Sequence, residues 1–157
     1  MAKKKNIKWE NNDVFAIPLE NGAFTICQVL DLQMVNIVRI AVYDEKILNV
    51  NAVKLDNFCN SEDLISLIAC SREQLDYGVW KILGNKEQSI PISKFPNEQY
   101  RTNGWVGAKH YDAAIIEDFV NAFYALIPWD DWGNPLYLDS LLVDKGKKPQ
   151  NLLFIKK

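Results

Sequence analysis

The sequence has little of what a reacting centre commonly uses. Histidine occurs once, at His110, so a Ser-His-Asp or Cys-His site would have a single possible base. There is no G-x-S-x-G elbow, and no cysteine sits in a catalytic signature. Cysteine occurs three times, at Cys27, Cys59 and Cys70. An odd number without C-x-x-C, beside one histidine, gives no support for a zinc site or a disulfide framework. Gly104-Trp105-Val106-Gly107 is not followed by Lys-Ser/Thr and opens no helix, which excludes a phosphate loop. No apolar run approaches the roughly 18 residues of a membrane span. Met1-Ala2-Lys3-Lys4-Lys5 has the charge of a signal-peptide start, but no apolar stretch follows it. The expectation is a cytoplasmic chain with reduced, buried thiols, no metal and no cofactor. Carboxylates are the exception to this scarcity. With 20 Asp+Glu a carboxylate-only acid/base or magnesium site stays open, although no pair is singled out.

What is present is an ordinary globular composition: 157 residues, 48% hydrophobic, 24% charged and 11% aromatic. That length suits one domain, 1–157, able to bury a core without staples. The formal net charge of −2 hides an asymmetry. Residues 1–8 carry +4 and residues 145–157 carry +5, both without an acid, so the body from 9 to 144 carries −11. The basic ends, 1–8 and 145–157, read as flexible and solvated. An acidic body suits a basic partner and repels nucleic acid. Basic residues do not alternate with aromatics there, as a nucleic-acid groove would require.

Apolar residues alternate at Phe15, Ile17 and Leu19 and again at Phe24 and Ile26, with Asn21-Gly22 between them. This is a hairpin signal, because both turn positions tolerate positive φ. A two-residue turn would pair Leu19 with Phe24 and demand an N–H that Pro18 lacks. A three-residue turn with Gly22 in a bulge, or an edge strand, avoids the conflict. Further strands are expected at 36–43, 64–70 and 78–83, the last carrying Trp80. Residues 84–111 read as a long loop. A helix begins near Asp112, with Ile116, Phe119, Val120, Phe123 and Ile127 as its stripe and Pro128 as its end. A short second helix is expected near 137–142. The fold class is α+β: a curved, barrel-like antiparallel sheet in the N-terminal two-thirds, with a C-terminal helix packed on it.

Residues 112–144 hold Asp112, Glu117, Asp118, Asp130, Asp131, Asp139 and Asp144 and no basic residue. The same segment holds Phe119, Phe123, Tyr124, Trp129, Trp132 and Tyr137. Phe119 and Phe123 lie on the helix stripe and belong to the core, as does one of the two tryptophans. Aromatic anchors beside unpaired acids suit a surface for a basic protein. The candidate partner-binding residues are therefore Glu117, Asp118, Trp129, Asp130, Asp131, Trp132 and Tyr137.

The run Asp13-Val14-Phe15-Ala16-Ile17-Pro18-Leu19, then Gly22 and Gln28-Val29-Leu30, resembles the N-terminal hairpin of the immunity protein 26 family of bacterial polymorphic toxin systems. Trp80, the helix ending in Pro128-Trp129-Asp130, Tyr137 and Leu141-Leu142 are similar to its later parts. Asn12 and Cys27 stand where glycine is expected, which would weaken the turn before the first strand and remove a bulge. The resemblance implies a cytoplasmic antitoxin that binds and neutralises a cognate toxin domain, with no enzymatic activity and no cofactor. Two alternatives come from other classes. One is a small-barrel ligand-binding or interaction module, with a pocket lined by Trp80, Trp105 and Tyr111. The other is a carboxylate-dependent hydrolase.

Overall fold

The two alternating runs become β1 (Asp13–Pro18) and β2 (Phe24–Met34). The computed structural model describes residues 6–51 and 53–155; the lysines at 3–5, 156 and 157 lie outside the described residues. It pairs Ile17 with Thr25 and Pro18 with Phe24. The Leu19 N–H donates to the Ala23 carbonyl at 2.8 Å, closing a three-residue turn over Glu20-Asn21-Gly22, and Gly22 takes φ +87°. Glycine adopts that conformation without a Cβ penalty. Pro18 then sits beside the hydrogen-bonded Leu19–Ala23 pair, in a position that needs no N–H.

β3 (Ile37–Ile47) follows β2 directly, and β4 (Leu64–Ser71) follows a loop with turns at Leu55–Asn57 and Ser61–Asp63. β3 runs past the expected end at 43 because its polar residues find partners. The Thr25 hydroxyl donates to the Tyr43 carbonyl at 3.2 Å, and the Glu45 carboxylate accepts the Cys59 N–H at 2.6 Å. A one-turn α1 (Glu73–Asp76) leads to β5 (Lys81–Asn85). The strand order is β4-β3-β2-β1-β5, antiparallel throughout. The sheet is open, with β4 and β5 at its edges, and β1 lies inside it.

The two departures from glycine are accommodated. Asn12 takes φ +75°, which asparagine tolerates better than most residues. The pairing of β2 with β3 still shifts between Thr25 and Cys27, so the irregularity forms without a glycine. Gly84 has a steric role: a Cβ there would lie 2.7 Å from Leu55 Cδ1.

Each face of the sheet is covered by a different stretch of chain. On one face Phe15, Val29, Val38, Ile40 and Ile68 meet α2 (Ala113–Phe123) and the segment after it. Ala113, Ile116, Phe119, Val120 and Phe123 are the buried stripe, at helical spacing. Trp80 lies just before β5 rather than within it, fully buried and stacked on Phe15 with ring centroids 5.4 Å apart. On the other face Val14, Ile26, Leu30, Ala41 and Tyr43 meet Cys59 and Phe95 from the loops.

α2 starts after Asp112, as expected, but the Asp112 side chain makes no capping bond; the Ala113 N–H donates instead to Ser71 Oγ at 2.9 Å. The helix ends at Phe123, short of Pro128. The Ala125 N–H donates to the Ala122 carbonyl at 3.0 Å and the Leu126 N–H to the Asn121 carbonyl at 2.9 Å, with Ala125 at φ +59°. This is a Schellman stop, with alanine in the left-handed position that glycine usually takes. Leu138–Leu141 forms a 3-10 turn where the second short helix was expected.

Candidate functional site

The seven candidate residues fall into two groups. Glu117 and Asp118 project from α2. Glu117 Oε2 accepts Gln74 Nε2 at 3.0 Å and Trp80 Nε1 at 3.2 Å, so this acid anchors the turn before β5. Asp118 is half-buried and its carboxyl is held above the usual range, first by burial and then by the charges of Glu117 and Glu20. Glu20 comes from the β1–β2 turn, where its N–H donates to Asn121 Oδ1 at 2.8 Å. The hairpin turn and α2 therefore share an acidic corner, in which Glu20 joins the Glu117 and Asp118 that the sequence suggests.

The second group follows the helix. Trp129 has no exposed surface; its ring packs 5.9 Å from Phe119 and its Nε1–H donates to Asp139 at 2.6 Å. It is the tryptophan that belongs to the core, and it positions its neighbours. Trp132 is half-buried, edge-on to Tyr137 at 5.6 Å, and Tyr137 lies 6.5 Å from Tyr111. The Trp132 Nε1–H is buried with no acceptor among the described residues. Asp130 accepts the Ile155 N–H at 2.8 Å, while Asp131 is exposed. Among the described residues, no hydrogen bond or ring contact joins Glu117 or Asp118 to Asp130, Asp131, Trp132 or Tyr137.

Two further acids of the segment, Asp139 and Asp144, have structural work. Asp139 accepts both Trp129 Nε1 and, at 3.1 Å, Lys148 Nζ; its carboxyl is lowered because those bonds outweigh burial. Asp144 Oδ1 accepts the Gly146 N–H at 2.7 Å. Pro128 also forms a parallel bridge with Leu153, whose carbonyl accepts the Trp129 N–H at 2.8 Å.

Sequence reasoning missed a buried charged residue with many partners. Arg39, on β3, has a fully buried side chain. Its Nε and Nη2 donate to the two oxygens of Asp31, both at 2.6 Å, and its Nη1 to Glu98 at 2.8 Å and the Pro96 carbonyl at 3.1 Å. The guanidinium carbon lies 4.9 Å from the Phe95 ring centroid and 5.4 Å from that of Trp105. This arrangement clamps the loop before α2 onto the sheet. The available signal was a lone arginine between Val38 and Ile40, with Asp31 facing it across the β2–β3 pair.

Groups with reactive potential are engaged elsewhere. His110 Nε2 lies 2.6 Å from Gln33 Nε2. Burial raises the thiols of Cys27 and Cys70, and Cys59 is pushed up to about 12 by burial and by Glu45. Among the described residues no three His, Cys, Asp or Glu side chains are placed to hold a metal ion, and no helix is long and apolar enough to cross a membrane. Trp80, Trp105 and Tyr111 do not line one pocket: Trp80 stacks on Phe15, Trp105 covers Arg39 and Tyr111 faces a groove along β4.

A family model described as Immunity protein 26 matches residues 11–105, more than half of the chain. The match spans all five strands and the loop up to Trp105, and stops before α2. No curated protein and no solved structure matches the chain.

Proposed function

The chain belongs to the immunity protein 26 family, and from that membership we propose that it binds and neutralises one cognate toxin of a bacterial polymorphic toxin system. The action is protein–protein contact in the cytoplasm of the producing cell, without catalysis and without a cofactor. The family match is the observation that carries this reading.

The charge distribution supports a basic toxin. The body of the chain carries −11, and an acidic surface steers a basic partner while repelling nucleic acid. The proposed contact surface comprises Asp118 and Glu117 at the hairpin corner and Asp130, Asp131, Trp132 and Tyr137 beyond the helix, with Trp129 holding the second group from below. These residues lie outside the matched span of 11–105. That suits a surface specific to one partner, built on a scaffold the family shares. The Trp132 N–H, buried without an acceptor among the described residues at a cost of about 1–3 kcal/mol, is a donor that a partner's acceptor could satisfy.

The test is co-expression with the toxin encoded beside the gene. Neutralisation and co-purification are expected. Asp118→Lys and Asp131→Lys should slow association about threefold to tenfold at low salt, with little effect at high salt. Failure to bind or neutralise any neighbouring toxin overturns the reading. Neutralisation with unchanged association rates overturns the assigned surface alone.

A further inference from the structure

The outer edge of β4 is covered at both ends and open in the middle. At one end the Val143 N–H donates to the Ile65 carbonyl at 2.8 Å. At the other, the Tyr111 N–H donates to the Ala69 carbonyl and the Ser71 N–H to the Tyr111 carbonyl, each at 3.0 Å. Residues 65, 69 and 71 thus turn their backbone outward, and the period-two geometry of a strand turns Leu67 the same way. Among the described residues no hydrogen bond covers Leu67 on that side. An unpaired rung on a strand edge is a template for another strand.

The surroundings specify what would pair there. Leu67 and Val143 are shared by two adjoining hollows of about 220 and 580 Å³. Their apolar walls include Leu64, Ile68 and Leu141. Lys109 stands beside the first hollow and Lys94 and Lys147 beside the second. Asp144 is the one acid among the residues lining the two hollows, and it keeps its charge while accepting the Gly146 N–H. Lys147 Nζ donates to the Glu62 carbonyl, so Lys94 and Lys109 are the lysines open to a partner. This groove is basic on a protein whose body is acidic.

We infer that the groove along β4 receives an extended, acidic segment of a partner polypeptide. The segment pairs one residue with the Leu67 N–H and C=O, seats apolar side chains against Leu67 and Val143, and sets its carboxylates against Lys94 and Lys109. This is strand addition restricted to a single rung, with alternate side chains supplying specificity. The inference uses none of the residues assigned to the toxin surface and does not depend on that assignment.

The probe is a short labelled peptide of alternating Glu and Val, compared with a Lys/Val counterpart and with a copy N-methylated at its central residue. Fluorescence anisotropy gives affinity and backbone amide shifts give location. The acidic peptide should bind and shift the amides of Leu67, Tyr111 and Val143. The paired exposed-site variant Lys94→Glu, Lys109→Glu should weaken it about tenfold at low ionic strength. The N-methylated peptide should bind far more weakly. Equal binding of the Lys/Val peptide, shifts confined to other surfaces, or indifference to N-methylation would each overturn the inference. So would concentration-dependent self-association in ultracentrifugation that shifts the same amides, because the occupant would then be a second copy.

Discussion

Truncating Arg39 to alanine tests whether a single buried cation holds the loop before α2 on the sheet. The variant removes two bonds to Asp31, one to Glu98 and one to the Pro96 carbonyl. Removing one partner of a buried ion pair costs about 3–5 kcal/mol, because the other is left buried and uncompensated. Here the stranded acids soften the loss. The Asp31 and Glu98 side chains keep 20% and 19% of their surface in water, and Glu98 retains Arg101 at 2.7 Å. The expected cost is therefore at the lower end, about 3 kcal/mol. For a chain of this size that lowers Tm by about 6–12 °C. Urea unfolding should show a lower midpoint with an unchanged slope. Hydrogen exchange should show amides of 92–105 losing protection well before those of β2 and β3, since Phe95, Pro96, Glu98 and Trp105 are the groups Arg39 holds. Arg39→Met separates charge from packing, and a cycle with Asp31→Asn isolates the pair. A loss below about 1 kcal/mol, or loop protection unchanged from the parent protein, would refute the clamp.

Acid should weaken the fold through Glu98. Arg101 first, and Arg39 with it, hold this carboxyl at about 2, so its contribution is complete above its unfolded value and fades as pH falls from about 4.5 towards 2. Glu45 acts in the opposite sense: burial, with a bond from Asp63, raises its carboxyl, so its contribution is complete below the unfolded value and fades as pH rises through the folded one. The urea midpoint measured from pH 7 to 2.5 should fall at the acid end, and Glu98→Gln should flatten that fall; the same slope in both proteins would count against it. The thiols give a second check, since Cys27 and Cys70 have no exposed surface and Cys59 has 8%. A disulfide reagent at pH 8 should react with all three only as fast as the protein opens, and rapid stoichiometric labelling of the native protein would contradict the packing described.

The hairpin was legible because alternation and Asn21-Gly22 report local geometry. The exact turn was not, because Pro18 excludes a register without choosing between the remaining ones, and the choice depends on Leu19 meeting Ala23. α2 was legible from its stripe, but its end was not. Ile127 continues the period, and only the Schellman bonds around Ala125 show that the chain has already left the helix. The candidate surface divides in the same way. Its acidity is a property of composition, whereas the assignment of Trp129 to the core and Trp132 to its margin depends on contacts with Phe119 and Tyr137. Arg39 escaped notice because a charged residue within an apolar strand has meaning only once the loop carrying Glu98 is folded over it.

The division of the sheet into two covered faces has a consequence for transplantation. One lid, the loop ending at Trp105, falls within the matched span; the other, α2 and the chain after it, falls outside. A foreign C-terminal lid could be grafted onto these strands if it met two requirements. It would have to return apolar volume at Ile116, Phe119, Val120 and Trp129 to the face built by Phe15, Val38 and Ile40. It would also have to supply backbone groups that close the ends of β4 as Tyr111 and Val143 do. With the bonds that Glu117 accepts from Trp80 and Asn121 from Glu20 also kept, the exposed positions of that lid are free to be rewritten, so a new specificity needs no new core.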